Sequence, residues 1–388
     1  MAGLELIFAD QQCAEALTDE RLLAAMARFE GALALACARA GLLSGEDAKI
    51  IARVCETTGF DAARLARAAR RAGTLAIPFV KELTAQVAAV SPEAARHVHA
   101  GATSQDAIDT GMVLCLREAA ERIAALTVRL GDAAAALTRQ HENTPTAART
   151  LLQPALPVPF GFKVAVWLSM LARSHRAFRA AAEGACVLQF GGAAGTLSAY
   201  GDRASAVEAA LAEALRLPLP ATPWHSARDA VARLGAEAAI LAGAAGKIGR
   251  DVSLLMQPEI GEASEAAPGG SSSMPHKRNP SGSLLGLEAA QRAPGLAATL
   301  LNQLTPEHER GIGQWQAQWF TLRELLRITS SAVAAMAEVL EGLQVDVAAM
   351  RRNLERSAIP AAERNRGFGA AQAMIARSLD AWRAARSG

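Results

Sequence analysis

The chain has 388 residues, 51% of them hydrophobic, which is enough to fill a large core and to build more than one domain. Its formal net charge of +2 excludes the strong positive field that draws proteins to nucleic acid or to an acidic membrane surface. The first residues, MAGLELIFADQQ, have neither the basic start nor the apolar run of a signal peptide, and no apolar window of 18 residues predicts a membrane span.

Cysteine usage points to a reducing compartment. The five cysteines are odd in number, far apart and never in a C-x-x-C pair, which argues against a disulfide framework and against a zinc site. We therefore expect a cytoplasmic protein. The free thiols would be those of Cys13, Cys37, Cys55, Cys115 and Cys186.

Helical patterns fill the first ninety residues. Ala, Leu, Arg and Glu dominate and strand-like alternation is almost absent, so the chain as a whole is predicted to be nearly all helix. The predicted helices cover residues 19–42, 45–56, 60–72 and 78–90, and Pro78 suits the first turn of the last one.

The first polar segment, residues 99–110, reads HAGATSQDAIDT and follows a short helix. Thr103 and Ser104 lie where a helix is expected to begin, and hydroxyls with free backbone N–H groups at such a position can bind a carboxylate. Simple N-capping by Ser104 explains the same residues equally well. A long helical stretch is predicted from about residue 111 to residue 142.

The second polar segment, residues 149–155, reads RTLLQPA. Arg149 could pair with an anion, and Gln153 offers an amide. On local grounds a helix-breaking turn with a structural arginine is the slightly better explanation. Helices are predicted to follow over residues 162–185 and 203–216.

Residues 226–257 carry the clearest periodicity of the chain. Two interleaved series at seven-residue spacing predict a seam along one face of a long helix, and the small residues in one series let a neighbouring helix approach closely. Ser226 and Asp229 resemble a capping box at its start. The two series are Val231, Ala238, Ala245 and Val252, and Leu234, Leu241, Ile248 and Leu255.

The third polar segment, residues 269–280, reads GGSSSMPHKRNP and is called the signature loop below. Its glycines and serines impose little restraint, so we expect a mobile loop that closes over an anionic substrate. A serine there becomes a useful base only if its alkoxide is stabilised, and Lys277 and the backbone N–H groups are the candidates. His276 is a less suitable base because it lies in a rigid stretch. A solvated linker is a poor explanation, since long helical patterns flank the segment.

Further helices are predicted over residues 281–304 and 318–345, and the tail from about residue 346 is weakly patterned and predicts a small terminal cap. Several helices of more than twenty residues indicate an elongated bundle, a class that often buries its seams between subunits. The histidines show no metal-ligand spacing, and no nucleotide-binding or H-E-x-x-H motif occurs, so we expect neither a metal nor an organic cofactor.

Taken together, the three polar segments resemble the conserved regions of the fumarase/aspartase superfamily, in the same order and with helical spacers. The resemblance covers roughly residues 90–330. It implies an all-α subunit in three domains, which we place at residues 1–110, 111–345 and 346–388. It also implies a homotetramer in which each active site takes its segments from three subunits, and a small anionic substrate.

The superfamily carries out reversible β-elimination, in which a base removes the proton next to a carboxylate. By position in the motif the base matches Ser271, while Lys277 and Asn279 match the residues that hold and polarise the carboxylate. The resemblance further implies substrate binding by residues of all three segments and of the helices beyond. These residues are His99, Thr103, Ser104, Gln153, Arg228, Arg278 and Arg310.

Departures from the pattern favour the lactonising, or cycloisomerase, branch of the superfamily. Many members carry a histidine where this chain has Leu151, and members that cleave adenylosuccinate tend to carry Arg-His-Asp where it has residues 75–78, LAIP. A carboxylate leaving group has a conjugate acid with a pKa of about 4 and needs no acid catalyst. The runs at 148–157 and 306–316 also resemble that branch, in which a carboxylate of a substituted muconate closes a γ-lactone during aromatic catabolism.

Two other functions remain open at this point. One is a fumarate-releasing lyase of the same superfamily, such as adenylosuccinate lyase, against which Leu151 and the LAIP stretch argue. The other is a helical scaffold that has lost its chemistry, against which the intact Ser271, Lys277 and Asn279 argue. The shortened region after about residue 350 also leaves the role of a C-terminal lid undecided.

Overall fold

Long helices account for most of the chain, and the all-α class that the sequence predicts is confirmed. The computed structural model describes residues 7–364 and 367–387. The N-terminal helices follow the predicted ones within a few residues. They are α1 (Gln11–Ala16), α2 (Asp19–Arg39), α3 (Gly45–Thr57), α4 (Ala62–Ala72), α5 (Ala76–Ala88) and α6 (Pro92–Ala95).

Five helices of 21 to 37 residues form a central bundle, and α10 packs against α8, α11 and α12 within it. The first of these runs without a break through residue 110, where we placed a domain boundary, and the division into three domains stays a prediction. The bundle consists of α7 (Ser104–Gln140), α8 (Phe160–Ala185), α10 (Asp229–Leu255), α11 (Ser281–Leu301) and α12 (Gln314–Glu341), while α9 (Ala204–Leu215) packs against α2 outside it.

The predicted seam of α10 is confirmed. All eight residues of the two series are at most 5% exposed. Glycines bring α11 close, because a Cβ added at Gly249 would lie 2.8 Å from the Ser283 carbonyl oxygen, and one at Gly246 would lie 2.4 Å from the Ala290 side chain. The predicted capping box is wrong: α10 begins at Asp229 after the N-cap residue Arg228, and no side chain caps it.

A β-hairpin interrupts the helices where the sequence predicts only a turn. Strand β1 (Pro145–Thr150) pairs antiparallel with β2 (Gln153–Pro159), which leaves a two-residue tip at Leu151 and Leu152. Both tip residues have positive φ, 51° and 66°, as a type I′ turn requires. A second, shorter pair is formed by β3 (Ala263–Ser264) and β4 (Gln344–Val345).

The described part of the tail forms three helices, of which the last lies along the bundle. Helix α15 (Ala371–Ser387) packs on α8 and α7, and its Trp382 side chain fills the space that the missing Cβ of Gly131 leaves. The Trp382 indole N–H donates to Asp132 Oδ1 over 2.9 Å. The other two helices are α13 (Val347–Arg356) and α14 (Ala361–Arg364).

Residues 7–364 and 367–387 contain neither a membrane-spanning helix nor a cluster of metal-ligating side chains. No helix there is both long and apolar enough to cross a membrane. No group of three or more metal-ligating side chains converges among them. All five cysteines are free and buried.

Candidate active site

The signature loop is closed at its base by its own backbone. Gly269 and Asn279 exchange both N–H···O bonds over 2.8 Å, and the Asn279 side-chain amide donates to the Gly270 carbonyl over 2.8 Å. The loop packs closely here, because a Cβ added at Gly269 would lie 1.8 Å from the Ser281 hydroxyl oxygen and would force that side chain to move. The ends of the loop therefore meet, as in an Ω-loop, and the residues between them project outward.

The Ser271 oxygen is held by backbone donors of the same loop. Its Oγ accepts the N–H of Met274 over 3.1 Å and the N–H of Ser273 over 3.4 Å. Donors that point at a hydroxyl oxygen favour its ionised form. The predicted stabilisation of a Ser271 alkoxide by loop N–H groups thus has a geometric basis.

The cations of the signature loop face solvent. His276, Lys277 and Arg278 are exposed, and within the described part of the chain no carboxylate pairs with any of them. Their charge is therefore available to an anion that approaches the loop. Lysine and arginine are positively charged at neutral pH, so these residues form a cationic surface beside the Ser271 hydroxyl.

A buried carboxylate fixes the far end of the signature loop. Glu265 is 2% exposed and accepts the N–H groups of Gly282 and Ser283 over 3.0 and 2.8 Å, together with the Ser283 hydroxyl over 2.7 Å. These are orphan donors at the N-terminus of α11, where negative charge is favoured. The loop thus enters the bundle at a defined position.

The first polar segment forms a second polar cluster at the start of α7. Thr103 is the N-cap residue and Ser104 the first helical residue, so the expected capping by Ser104 is wrong. Asp106 Oδ2 accepts the Thr103 N–H over 3.0 Å, and Arg310 donates to the Thr103 hydroxyl over 2.7 Å. Arg310 also donates to the Ala193 carbonyl over 3.1 Å.

A loop that sequence reasoning missed wraps this cluster. Residues 189–197, here called the anchor loop, donate two backbone N–H groups to buried Asp106, from Gly191 over 3.0 Å and from Gly192 over 2.9 Å. His225 Nε2 lies 2.7 Å from the Asp106 Oδ1. The signal for this loop in the sequence is its FGGAAG run between two helical patterns, because such glycines permit close backbone approach.

His99 lies beside the cluster and pairs with a buried acid. Its Nδ1 is 2.6 Å from Glu30 Oε1, and the Glu30 side chain is fully buried. Burial alone would lower the pKa of His99, but the attraction and the hydrogen bond of the Glu30 carboxylate outweigh it and raise this pKa. A raised pKa favours an imidazolium next to the helix start.

Arg228 is buried and its donors are used inside the chain. It forms two bonds to Asp109, of 2.6 and 3.2 Å, and two to Gln318 Oε1, and it stacks 4.6 Å from the Trp224 ring. At 4% exposure it faces protein on all sides. Arg228 therefore lies behind the cluster and supports it. The predicted substrate binding by Arg228 does not fit this position, because its side chain is buried in the chain.

The hairpin is anchored by a second buried carboxylate. Arg149 makes a bidentate pair with Glu262, with bonds of 2.9 and 2.6 Å, so the structural explanation of this arginine is confirmed. Beyond this anchor the tip projects freely: Leu151 is 97% and Leu152 70% exposed, and Gln153 is exposed beside them.

The polar segments lie at opposite ends of the bundle in one chain. Asp109 contacts Arg228 before the first turn of α10, whereas Glu262 and the signature loop follow its last turn. A helix of 27 residues is about 40 Å long. Thr103, Ser104, His99 and Arg310 therefore share one end, while Ser271, Lys277, Arg278, Asn279 and Gln153 share the other.

The chain is similar in sequence to known enzymes. A family model described as lyase matches residues 8–295. A 3-carboxy-cis,cis-muconate cycloisomerase of Bradyrhizobium diazoefficiens is 49% identical over 343 residues, which are 88% of this chain and 76% of the relative. A relative of the same name from Pseudomonas aeruginosa is 47% identical over 340 residues, which are 87% of this chain and 74% of the relative.

A solved structure extends the likeness to nearly the whole chain. The crystal structure of 3-carboxy-cis,cis-muconate lactonizing enzyme from Pseudomonas putida superposes with a TM-score of 0.91 at 36% identity. The match covers 98% of this chain and 99% of that one. The tail helices thus belong to the part of the fold that the two proteins share.

Proposed function

The chain belongs to the lyase family, within the fumarase/aspartase superfamily, and on that premise we propose that it is a cycloisomerase that converts 3-carboxy-cis,cis-muconate to the corresponding carboxymuconolactone. The main support for this reaction is the Ser271 hydroxyl, whose oxygen accepts two backbone N–H groups. The cations of the same loop have no carboxylate partner among the described residues. The reaction serves the breakdown of aromatic compounds in the cytoplasm.

The bonds change in two places during lactonisation. One carboxylate oxygen of the substrate adds to a carbon of the conjugated diene, and the displaced electron pair moves towards the carboxylate at the other end of that diene. The Ser271 hydroxyl then gives its proton to the carbon next to that carboxylate. The resulting alkoxide is stabilised by the Met274 and Ser273 N–H groups and by the charge of Lys277, and it regains a proton from water.

The dianionic intermediate needs positive charge and N–H donors. Lys277, Asn279 and Arg278 supply them from the signature loop, and Thr103, Ser104 and Arg310 supply them from the start of α7. His99, whose pKa is raised by the Glu30 carboxylate, is a further substrate-binding group there. Gln153 offers an amide from the hairpin. Arg228 holds this arrangement in place through Asp109 rather than by contact with substrate.

Leu151 and Leu152 favour a lactone product over a released amine or hydroxide. They occupy the tip that the family resemblance places in the site, and neither can give a proton to a leaving group. In the reverse reaction the leaving oxygen is a carboxylate, whose conjugate acid has a pKa of about 4, so it departs without help. A fumarate-releasing lyase with a basic leaving group would lack its acid.

The separation of the segments within one chain supports a shared site. Because the two ends of α10 are about 40 Å apart, Ser271 cannot reach the Thr103 cluster of its own chain. Val166, Ile240 and Leu284 on the bundle helices are 53–55% exposed and supply an apolar surface for other copies. We therefore include a homotetramer, with each site drawn from three subunits, in the proposal.

The decisive assay follows ultraviolet absorbance of purified protein with 3-carboxy-cis,cis-muconate, followed by NMR of the product. We expect loss of the diene absorbance and a γ-lactone. Turnover of adenylosuccinate, with no change in muconate absorbance, would establish the fumarate-releasing alternative. Substrate binding seen by tryptophan fluorescence, with no product from either compound, would establish the scaffold.

A further inference from the structure

A cavity that the proposed reaction does not use opens between the N-terminal helices and the bundle. It has a volume of about 330 Å³, within the range of ligand pockets. Its walls come from α2, α4, the loop between α4 and α5, and one turn of α12. The exposed Ala66 lies at its mouth, so the cavity is open to solvent.

Aromatic rings form one wall of this cavity. Phe320 is 67% exposed, an unusual position for so large an apolar ring, and Trp319 lies beside it. The Trp319 indole Nε1 is buried and has no hydrogen-bond partner in the part of the chain that the structure describes. Because this nitrogen is not accessible, Trp319 offers a ligand in the cavity its ring and no hydrogen-bond donor.

Positive charge lines the same cavity. Arg70, in the last turn of α4, forms no ion pair within the described residues. Arg323 lies 5.9 Å from the Phe320 ring and donates to Asp19 over 2.7 Å. Two guanidinium groups against one carboxylate leave a net positive charge in a mainly apolar cavity, which is the environment of an anion with an apolar body.

We propose that this cavity binds a small monocarboxylate with a flat apolar body, of the benzoate type. The ring stacks on Trp319 and Phe320, where aromatic contacts are favourable. The carboxylate pairs with Arg70 at the mouth, and Arg323 adds its charge from the side. The proposal does not depend on the lactonising reaction, because binding needs no turnover.

Two aromatic rings in edge-on contact join the cavity to the candidate active site. Trp319 packs edge-on against Trp315, with centroids 4.8 Å apart, and the Trp315 indole N–H donates to Asp109 Oδ1 over 2.9 Å. Asp109 in turn holds Arg228. A ligand that packs on Trp319 therefore contacts a ring that in turn packs on the side chains supporting the Thr103 cluster. Its binding changes the environment of two tryptophans, Trp319 and Trp315.

The test is a titration of the full chain with benzoate, read by tryptophan fluorescence and by calorimetry. We expect saturable binding, and we expect Arg70→Gln and Ala66→Phe each to raise the Kd at least about tenfold, the first by removing the charge and the second by filling the mouth. Arg71→Gln is the matched control, since Arg71 is the next exposed residue of the same helical turn and does not line the cavity. Its Kd is expected to match that of the unmodified chain.

Two results would overturn the proposal. One is the absence of saturable benzoate binding to the unmodified chain. The other is binding that survives both Arg70→Gln and Ala66→Phe but is lost in Arg310→Gln, because the anion would then occupy the Thr103 cluster. If Ala66→Phe fails to fold, Arg70→Gln still tests the site, because Arg70 is exposed and its replacement is expected to leave the fold intact. Benzyl alcohol, which has the ring without the charge, is expected to bind more weakly than benzoate.

Discussion

The proposed chemistry depends at the residue scale on one hydroxyl and its donors. Replacing Ser271 by alanine removes the proton donor and leaves the Gly269–Asn279 bridge intact. We expect kcat to fall by at least about a thousandfold, which corresponds to roughly 4 kcal/mol in the barrier, with an unchanged circular dichroism spectrum. Ser272→Ala is the matched control and is expected to keep most of the activity. Equal losses in both variants would remove Ser271 from its role.

His99 gives a prediction about pH. Because the Glu30 carboxylate raises the pKa of His99 in the folded chain, the pair stabilises the fold fully below the usual imidazole value of about 6.5. This contribution is lost as the pH rises through the raised pKa. We expect His99→Gln to lower the unfolding free energy by about 1–3 kcal/mol at low pH and by less at alkaline pH.

Urea unfolding of the unmodified chain and of His99→Gln at about pH 6 and about pH 9 measures this difference. His97→Gln is the matched control, since His97 is exposed two residues away. A destabilisation by His99→Gln that grows with pH would contradict a charged His99 in the folded chain.

At the scale of elements, close approach of α10 and α11 sets the position of the signature loop. Gly249→Ala places a Cβ 2.8 Å from a carbonyl oxygen of Ser283, whose N–H and hydroxyl are bound to Glu265. We expect a loss of about 1–3 kcal/mol in unfolding free energy, together with lower activity. Thermal and urea unfolding measure it.

The control for this substitution lies on the same helix. A Cβ at Gly243 would meet nothing within 4 Å, so Gly243→Ala is expected to stabilise the chain by about 0.5–1 kcal/mol through the higher helix propensity of alanine. If the two alanine variants had the same stability, the close contact of α10 with α11 would be wrong.

The hairpin tip carries strain and an exposed apolar surface at once. A leucine in the left-handed region costs about 1–2 kcal/mol, which glycine avoids. We therefore expect Leu152→Gly to leave the unfolding free energy unchanged or higher, and to lower kcat/KM at least about tenfold, since a side chain is lost from the site. Leu156→Ala, an exposed leucine on the strand, is the control. Full activity in Leu152→Gly would show that the tip lies outside the site.

The elements differ in how well the sequence predicts them. The seam of α10 was predictable because eight apolar residues at a fixed spacing have one physical explanation, burial along one face. The hairpin was not, because Pro154 and Pro157 are unfavourable in a strand and are accommodated here only in a two-stranded ribbon. The start of the long helix was predicted near residue 111, whereas α7 begins at Ser104. Gln105, Asp106 and Asp109 look like loop residues, but buried partners hold them in the helix.

The site shows the same division. Ser271, Thr103 and Arg310 could be proposed as site residues from motifs, because the residue types themselves suggest the chemistry, and their roles stay predictions. The partner of Arg149 and the support role of Arg228 could not, because they depend on acids more than a hundred residues away along the chain. The anchor loop acts through its backbone, which leaves only its glycines as a signal.

At the scale of the whole molecule, we propose that one chain contributes parts to several sites and completes none of them alone. The Thr103 cluster lies at one end of the bundle and the signature loop at the other, about 40 Å apart along α10. We therefore infer that a complete site needs further copies of the chain. In an assembly of that kind, two different defects in two chains can be compensated in the same oligomer.

The most direct test is to co-express two variants that are each inactive, Ser271→Ala and Arg310→Gln, and to purify the mixed oligomers. With random mixing, about a quarter of the sites receive an intact Ser271 from one copy and an intact Arg310 from another, so we predict about a quarter of the unmodified kcat. Activity no higher than that of the separate variants, in oligomers shown by mass spectrometry to be mixed, would contradict the shared site.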